Sequence, residues 1–332
     1  MKIAFFEVSG WEVPVLKAKL RKHSMKFFSE PLPLENVNFA KGFDIVSVFI
    51  YSKVTAEVIH KLPRLKAIAT RSTGFDHIDI RAAGYRNISV SYVPSYGENT
   101  VAEHTFALIL SLSRNVHKSY VRTLRNDFSI EGLKGFDLKG RTIGVIGAGK
   151  IGLHVIRVAK GFGMDVVAFD INKDNFIAEV LGFRYLPLDE LLKVSDIITL
   201  HAPYNEHTHH LISKDNIKLI KKGALLINTA RGGLVDTAAL LEALDKGILS
   251  GAGLDVLEGE ELIKEEKEIL HSASSLETLK SLLNDHVILA KDNVVFTPHI
   301  AFYSQEALLR ILDTTIENIT SFSEKKPRNT IK

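Results

Sequence analysis

Three short segments carry side chains that could bind an acid and move a proton. Arg231 lies in the run NTARGG, directly after an apolar stretch, and small residues flank it. Its planar guanidinium suits bidentate binding of a carboxylate. Asp255 ends a second apolar stretch, with Glu260 close behind, and His299 follows a third in the run TPHIA. Because an imidazole can give or take a proton near neutral pH, the set could act on a small organic acid.

Taken singly, each segment has a plainer interpretation. An arginine after a strand is often a surface residue in a turn, and two acids close together are often a solvated loop. A single histidine among thirteen is more often structural. The positions favour a joint role, because each segment follows a predicted strand. Ligands of parallel α/β sheets bind at the carboxyl ends of the strands.

The stretch 142–170 predicts a dinucleotide site. A strand-like apolar run, 143–146, leads into the glycine run GAGKIG and then into apolar residues at helical spacing. Gly147 allows the tight turn, Gly149 leaves room for a pyrophosphate, and Gly152 lets the helix pack closely on the strand. The amino end of that helix then faces the anion.

Asp170 indicates which dinucleotide is bound. It ends the next predicted strand, about 20 residues after the glycines, where a carboxylate can bind the ribose hydroxyls. Its charge would repel a 2′-phosphate, and Ile171 and Asn172 follow it rather than an arginine. NAD is therefore favoured over NADP. A nicotinamide that carries hydride, together with Arg231 and His299, would interconvert a 2-hydroxy acid and a 2-oxo acid.

Alternating strand and helix patterns favour an α/β fold with two parallel sheets, each flanked by helices. Strands are predicted at 3–6, 45–49, 67–70 and 89–92, and then at 143–146, 166–169, 197–200, 225–228, 251–254 and 294–297. Helices are predicted at 188–194, 215–222 and 237–246. The later strands predict a doubly wound Rossmann sheet of about six strands.

A turn-rich break at 94–99 and a capping box, TVAE, mark a domain boundary. The last predicted helix, 304–322, is expected to return to the first domain. The chain is thus predicted to be a Rossmann NAD-binding domain, 100–299, inserted into a discontinuous flavodoxin-like substrate domain, 1–99 plus 300–332. The polar stretch 260–292 is predicted to be a helical excursion that could be a solvated face, a lid or an oligomer contact.

Composition excludes several classes of function. With 45% hydrophobic and 24% charged residues, the 332-residue chain is typical of soluble globular proteins. A net charge of +3 without a basic block argues against nucleic acid as a partner. No apolar run has membrane-spanning length, and Glu7 interrupts the N-terminus too early for a signal peptide. The absence of cysteine excludes disulfides and suits a cytoplasmic location.

The run His207-Thr208-His209-His210 has the composition of a metal cluster. It lies in a polar stretch, and no carboxylate at a suitable spacing supports a metal site. A surface loop is the favoured interpretation, and no metal is predicted.

The ordered motifs resemble those of the D-2-hydroxyacid dehydrogenase family over nearly the whole chain, most closely its D-lactate dehydrogenase branch. The matching segments are GAGKIG, Asp170, NTARG, Asp255 with Glu260, TPHIAFY, and, in the first hundred or so residues, RSTGFD and NTVAEH.

The resemblance implies a homodimer that uses NAD to interconvert pyruvate and D-lactate. Arg231 would anchor the substrate carboxylate and polarise the carbonyl, and His299, paired with Glu260, would be the general acid for reduction. Asp255 would contact the nicotinamide carboxamide. The other implied substrate contacts are the backbone amides of Thr73 and Gly74 and the side chains of Tyr96 and Phe302. The other implied cofactor contacts are Lys150, Ile151, Ala202, Pro203, Thr208, Thr229, Ala230 and Arg231.

Two alternatives stay open. A relative that takes bulkier 2-oxo acids, such as a hydroxyisocaproate dehydrogenase, would keep the same catalytic residues. An NAD-sensing transcriptional corepressor shares the fold and can keep Arg231, Glu260 and His299. Turnover of a 2-oxo acid separates the enzymes from the sensor.

Overall fold

The computed structural model describes residues 1–259 and 276–331. Contacts divide the chain into two compact units, Met1–Gly97 with Ser304–Lys332, and Glu98–Tyr303. Each unit contains one parallel sheet flanked by helices, which confirms the predicted fold class. Within the described part of the chain, no helix combines the length and apolar character needed to cross a membrane.

The first 97 residues form five strands and three helices. The strands are β1 (Lys2–Phe5), β2 (Ser24–Phe27), β3 (Ile45–Val48), β4 (Ala67–Thr70) and β5 (Ser89–Ser91), and the helices are α1 (Glu12–Lys19), α2 (Ala56–His60) and α3 (Ile80–Tyr85). The sheet order is β2-β1-β3-β4-β5, with every pair parallel. That order is the one found in flavodoxin-like sheets.

Strand β2 is absent from the sequence prediction, and its position explains why. It lies at the edge of the sheet, pairs only with β1, and alternates exposed with half-buried residues. Its sequence, SMKF, therefore lacks the apolar run that marks the central strands β3 and β4, in which every residue is buried.

Among its described residues, the second unit has seven strands rather than the predicted six or so. Its strands are β6 (Thr142–Ile146), β7 (Asp165–Phe169), β8 (Arg184–Tyr185), β9 (Ile197–Leu200), β10 (Ala224–Asn228), β11 (Leu249–Leu254) and β12 (Val294–Phe296). Its helices are α4 (Glu98–Ser113), α5 (Val116–Leu124), α6 (Lys150–Gly161), α7 (Asn175–Leu181), α8 (Leu188–Val194), α9 (Thr237–Asp245) and α10 (Leu276–Leu289). The order β12-β11-β10-β9-β6-β7-β8 is the Rossmann order extended by one strand.

The predicted helix over 215–222 is wrong. Only a short 3-10 turn, Ile217–Leu219, forms there. The side chain of Asn216 accepts a hydrogen bond from Ser213 N and donates one to Leu211 O, at 2.9 Å each. Such local bonds between side chain and backbone compete with helix formation.

Helix α4 packs closely on β11 because two residues of that strand are glycines. A Cβ on Gly253 would lie 3.0 Å from Leu108 Cβ, and one on Gly251 would lie 3.3 Å from a methyl group of Leu112. The helix begins at Glu98, two residues before the predicted capping box. Its buried face therefore covers the strands that carry the candidate site.

Helix α11 (Gln305–Ser323) belongs to the unit that contains the N-terminus. Ser304 caps it by accepting a hydrogen bond from Ala307 N at 3.1 Å. Its buried residues Leu312, Ile316 and Ile319 join Ile3 and other residues of β1, α1, β3 and β4 in one apolar cluster. The chain thus contributes both of its ends to one core.

Arg71 connects the ends of two strands of that unit from inside. Its side chain is 2% exposed. It donates to Phe6 O at 2.8 Å and to Glu7 O at 2.6 Å, and its Nε lies 3.6 Å from a carboxylate oxygen of Glu12. Because Arg71 follows β4 and Phe6 follows β1, this buried cation fixes the loops at the carboxyl ends of both strands.

We expect Arg71→Leu to lower the free energy of unfolding by about 3–5 kcal/mol, because it leaves the Glu12 carboxylate buried without its cation. Urea denaturation followed by circular dichroism measures the change. Arg64→Leu is the matched control. Because Arg64 is 58% exposed beside Asp44, its substitution should change the free energy of unfolding by less than about 1 kcal/mol. Equal effects of the two substitutions would contradict the role given to Arg71.

Asp285 on α10 is fully buried, and neither of its carboxylate oxygens has a hydrogen-bond partner among the described residues. Burial, with a further contribution from the charge of Glu258, raises the pKa of Asp285 from 3.8 to about 7. Between those pH values the unfolded chain releases the proton that the folded chain keeps. The folded state therefore loses stability as pH rises from about 4 to about 7.

Asp285→Asn should stabilise the protein at neutral pH, because the amide never ionises. We expect a rise in Tm that is large above about pH 7 and small near pH 4. Thermal unfolding across that range measures it, with the exposed Asp313 as the control site for an Asn substitution. A rise in Tm that is the same at every pH, or a fall in Tm at every pH, would show that ionisation of Asp285 does not destabilise the folded state.

Candidate active site

The glycine turn between β6 and α6 has the geometry that its sequence predicts. Gly147 has φ of +95°, and a Cβ there would lie 2.6 Å from the backbone of His201. A Cβ on Gly152 would lie 2.0 Å from Gly147 O. Both positions therefore exclude any side chain, the first because of its backbone conformation and both because of close packing.

Gly149 is a glycine for a different reason. A Cβ there would meet no atom within 4 Å, so the space next to it is open. Gly149 is the N-cap of α6, and no side chain caps the first turn of that helix. The N–H groups and the positive end of the helix dipole at Lys150 and Ile151 are thus free of a side-chain acceptor, which fits a dinucleotide pyrophosphate.

Asp170 lies beside this turn, directly after β7. One carboxylate oxygen accepts a hydrogen bond from Ala148 N and the other from Asn172 N, both at 2.8 Å. The half-buried carboxylate is therefore held at the edge of the glycine turn. It retains acceptor capacity for ribose hydroxyls, because an ionised carboxylate offers about four lone-pair sites.

The loop after β9 borders the same turn. The backbone N of Ala202 lies 2.7 Å from the position that a Cβ on Gly147 would take. Further along, the Thr208 hydroxyl donates to Pro203 O at 2.7 Å and accepts from Asn205 N at 2.8 Å. Thr208 thus closes this loop on itself, and Ala202 borders the glycine turn.

The loop after β10 carries Arg231, and Asn228 shapes it. The Asn228 side chain donates to Arg231 O at 2.8 Å and accepts from Ala230 N at 3.0 Å. The Thr229 hydroxyl is paired with that of Thr105 on α4 at 3.0 Å. Arg231 itself is half-buried and extended, with one guanidinium nitrogen donating to Ala230 O at 2.8 Å.

Asp255 organises the loop that carries His299. Its carboxylate is 1% exposed and accepts hydrogen bonds from the Thr297 hydroxyl at 2.5 Å and from the backbone N–H groups of Ile300 and Ala301 at 2.9 Å each. The backbone of Asp255 donates to Asn228 O and accepts from His299 N. This one residue therefore connects the ends of β10, β11 and β12. A contact of Asp255 with the nicotinamide stays a prediction.

His299 adopts a backbone conformation that is unusual for a residue with a side chain. Its φ is +56°. Non-glycine residues in this region are strained, and such residues are concentrated at functional sites. The imidazole is half-buried and meets the ring of Phe302 edge to face at 6.4 Å between centroids. Phe302 itself is 8% exposed, so it can form one wall of a small pocket.

His104 on α4 is a site residue to which the sequence-based expectations assign no role. Its Nε2 lies 2.9 Å from the Thr297 hydroxyl and 3.5 Å from an Asp255 carboxylate oxygen. It stands one and two helical turns before Leu108 and Leu112, which face β11. That spacing of four residues is the signal that could have placed His104 over the same strand.

The other residues predicted to bind substrate, Thr73, Gly74 and Tyr96, lie in the first unit. Thr73 and Gly74 follow β4, and the Thr73 hydroxyl donates to Val93 O at 2.8 Å. Tyr96 follows β5, and its carbonyl accepts a hydrogen bond from Arg310 on α11. Glu260, the predicted partner of His299, lies outside the described residues.

In the second unit, the parallel strands all end on the same side of the sheet. Their carboxyl ends carry the glycine turn, Asp170, Arg231, Asp255 and His299. That end of the sheet combines a turn that suits a dinucleotide with two side chains of suitable chemistry, a guanidinium able to bind a carboxylate and an imidazole able to transfer a proton. The set fits hydride transfer between a bound nicotinamide and a 2-oxo or 2-hydroxy acid.

Comparisons with known proteins agree with this chemistry. Residues 106–301 match the family model described as D-isomer specific 2-hydroxyacid dehydrogenase, NAD binding domain. A 2-hydroxyacid dehydrogenase homolog of Haemophilus influenzae is 37% identical over 98% of this chain and 97% of its own length. The D-lactate dehydrogenase of Aquifex aeolicus, solved with NAD and lactic acid, has a TM-score of 0.88 at 40% identity, over 98% of this chain and 96% of that one. D-2-hydroxyisocaproate dehydrogenase has a TM-score of 0.83 at 32% identity, over 99% of each chain.

The role of Asp255 can be tested without a substrate. In Asp255→Asn, an amide NH₂ would face backbone N–H groups that need an acceptor. Loss of a hydrogen bond to a charged group costs about 1.5–3 kcal/mol. Hydrogen exchange at Ile300 and Ala301 should therefore become about 10- to 100-fold faster. Asp292→Asn, at an exposed aspartate just before β12, should leave the exchange unchanged. Unchanged exchange in Asp255→Asn would contradict the role given to its carboxylate.

Proposed function

Because the chain belongs to the D-isomer specific 2-hydroxyacid dehydrogenase family, whose members are NAD-dependent oxidoreductases, we propose that it is a D-lactate dehydrogenase. One observation carries the proposal. Arg231 and His299 are held by Asn228 and Asp255 at the edge of the sheet that bears the glycine turn. The 40% identity to a D-lactate dehydrogenase solved with NAD and lactic acid supports pyruvate and D-lactate as the substrate pair.

We assign the catalytic roles as follows. When bound, the reduced nicotinamide supplies the hydride. Arg231 binds the substrate carboxylate and draws electron density from the 2-oxo group. As C2 accepts the hydride, His299 gives its proton to the carbonyl oxygen, and the products are a 2-hydroxy acid and NAD⁺. In the oxidative direction His299 takes the proton back, and Glu260 is the carboxylate assigned as its partner.

The remaining residues bind and orient. The backbone amides of Thr73 and Gly74 would hold the substrate carboxylate with Arg231, and the rings of Tyr96 and Phe302 would wall the pocket around the substituent on C2. The residues proposed to hold NAD are Gly147, Gly149, Lys150, Ile151, Gly152, Asp170, Ala202, Pro203, Thr208, Thr229, Ala230, Arg231 and Asp255.

The rival substrate class is a bulkier 2-oxo acid. The likeness to D-2-hydroxyisocaproate dehydrogenase, with a TM-score of 0.83, favours it. Buried Phe302 and the neighbouring Tyr303 ring, 5.8 Å away in an edge-to-face contact, favour a small substituent instead. We therefore place pyruvate first.

We also propose that two copies of the chain associate through the second unit. Helix α5 buries none of its residues, and Val116, Tyr120 and Leu124 form an apolar row at spacings of four, each more than half exposed. Sedimentation equilibrium should give a dimer, and Tyr120→Glu should shift it toward the monomer.

A cytoplasmic location stays a prediction from the absence of cysteine.

The experiment that tests the function compares 2-oxo acids side by side. NADH oxidation is followed with pyruvate, phenylpyruvate and a branched 2-oxo acid, and the chirality of the product is determined. Preference for pyruvate with a D product supports the proposal. Preference for a bulky acid moves the chain to the hydroxyisocaproate-like enzymes. NADH binding without turnover of any acid would favour an NAD-sensing protein and overturn the proposal.

We expect Asp170→Ala to reduce the preference for NADH over NADPH by at least about tenfold, since a charge-assisted hydrogen bond contributes about 1.5–3 kcal/mol. The substitution removes the ribose acceptor and the charge that repels a 2′-phosphate. Steady-state kinetics with each cofactor measures the change. Asp165→Ala, at the exposed opposite end of β7, is the matched control. An unchanged preference in Asp170→Ala would refute the role of this carboxylate.

We expect His299→Ala to lower kcat for pyruvate reduction by about 10²–10⁴, the usual contribution of a general acid, while the Kd for NADH stays the same. Stopped-flow turnover and NADH fluorescence titration measure the two quantities. His60→Ala, at an exposed histidine of the first unit, should change neither. Near-normal turnover in His299→Ala would assign the proton to another group.

A further inference from the structure

Two loops of the second unit bring two histidines and a carboxylate together. His209 and His210 end the loop that follows β9, and Glu258 lies in the loop that follows β11. Each of the three offers one ligand atom, and these atoms all lie within 4.8 Å of one another. The sequence alone supplies no carboxylate for the histidine run, because Glu258 is about fifty positions away in the chain.

The histidine rings are held on one side of the backbone. In extended chain, successive side chains point to opposite sides. The left-handed conformation of His210, with φ of 50°, breaks that alternation, and the rings of His209 and His210 stack at 3.8 Å between centroids. His210 Nε2 lies 2.8 Å from a Glu258 carboxylate oxygen, and His209 Nδ1 lies 3.2 Å from the Tyr204 hydroxyl. The Tyr204 hydroxyl is not one of the proposed ligands, and an outer contact of this kind orients an imidazole that ligates a metal.

We propose that His209, His210 and Glu258 bind a divalent transition-metal ion of the zinc class. Two imidazoles and one carboxylate are donors that Zn²⁺, Co²⁺ and Ni²⁺ accept. Metal–ligand distances of about 2.0–2.2 Å place tetrahedral ligand atoms about 3.3 Å apart. On binding the ion, His210 Nε2 and the Glu258 oxygen, now 2.8 Å apart, therefore move slightly apart. The two ligand atoms that lie farthest apart, at most 4.8 Å, move closer together. A water molecule is the remaining ligand.

The site would tie together loops that border Arg231. His210 N donates to Gly233 O at 2.8 Å, and a Cβ on Gly233 would lie 2.7 Å from the ring of Tyr204. A Cβ on Gly232 would lie 2.2 Å from the backbone of Leu257, next to Glu258. A bound ion would thus link the loops after β9 and β11 across the loop after β10. The proposal does not depend on which 2-oxo acid the protein reduces.

The test is metal binding by the full chain produced without a polyhistidine tag and stripped with a chelator. Isothermal titration with Zn²⁺ should give one ion per chain, and Co²⁺ should give the visible d–d bands of a four-coordinate site. Glu258→Gln and His209→Ala should each weaken Zn²⁺ binding at least about tenfold. His207→Ala is the matched control, because His207 is in the same loop with its side chain 86% exposed and is outside the cluster. It should bind Zn²⁺ like the parent.

Circular dichroism and NADH titration of each variant show that the fold is retained. The proposal is overturned if the parent binds no Zn²⁺ up to about millimolar concentration, the weak end of metal affinities in proteins. It is equally overturned if binding survives both Glu258→Gln and His209→Ala, or if His207→Ala abolishes it. In those cases the contact between His210 and Glu258 is only a hydrogen bond between two loops.

Discussion

The proposed site depends on the hydrogen bonds that the buried carboxylate of Asp255 accepts. A carboxylate at 1% exposure is costly unless its lone pairs are satisfied, and here a hydroxyl and two backbone N–H groups satisfy them. Each of those donors belongs to the loop that follows β12. Because the backbone of Asp255 also accepts from His299 N and donates to Asn228 O, the strained turn at His299 and the turn at Arg231 are fixed by one residue. The residues proposed as the general acid and as the carboxylate-binding cation thus gain defined positions without lying on regular secondary structure.

The parallel sheet supplies the rest of the arrangement. All of its pairs are parallel, so the loops that follow β6, β7, β9, β10, β11 and β12 emerge at one edge. The glycine turn can lie against the loop after β9 only because Gly147 lacks a side chain, and α6 can pack against that turn only because Gly152 does. α4 can pack on β11 only because Gly251 and Gly253 do. Glycines therefore determine how closely the layers approach, and charged and polar residues at the strand ends determine the chemistry.

Much of this follows from sequence, for identifiable reasons. Central strands bury both faces and appear as apolar runs, so β3, β4, β9 and β10 are predictable, as is the glycine turn. Strands β2 and β8 escape prediction because each lies at the edge of its sheet and contains no buried residue. His104 and the contact of His210 with Glu258 depend on residues distant in the chain that only the fold brings together. The helix predicted at 215–222 does not form because the side chain of Asn216 bonds to nearby backbone groups. The apolar pattern of the sequence does not reveal such bonds.

We propose that NADH bound at the carboxyl ends of these strands gives a hydride to one face of a 2-oxo acid, while a side chain of the protein delivers the proton. The most direct test supplies NADH deuterated at either of the two C4 positions of the nicotinamide, with pyruvate, and analyses the lactate by chiral separation and mass spectrometry. We expect D-lactate that carries deuterium at C2 from one labelled isomer and none from the other. Lactate of the L form, lactate without label from both isomers, or no lactate from protein that binds NADH would contradict it.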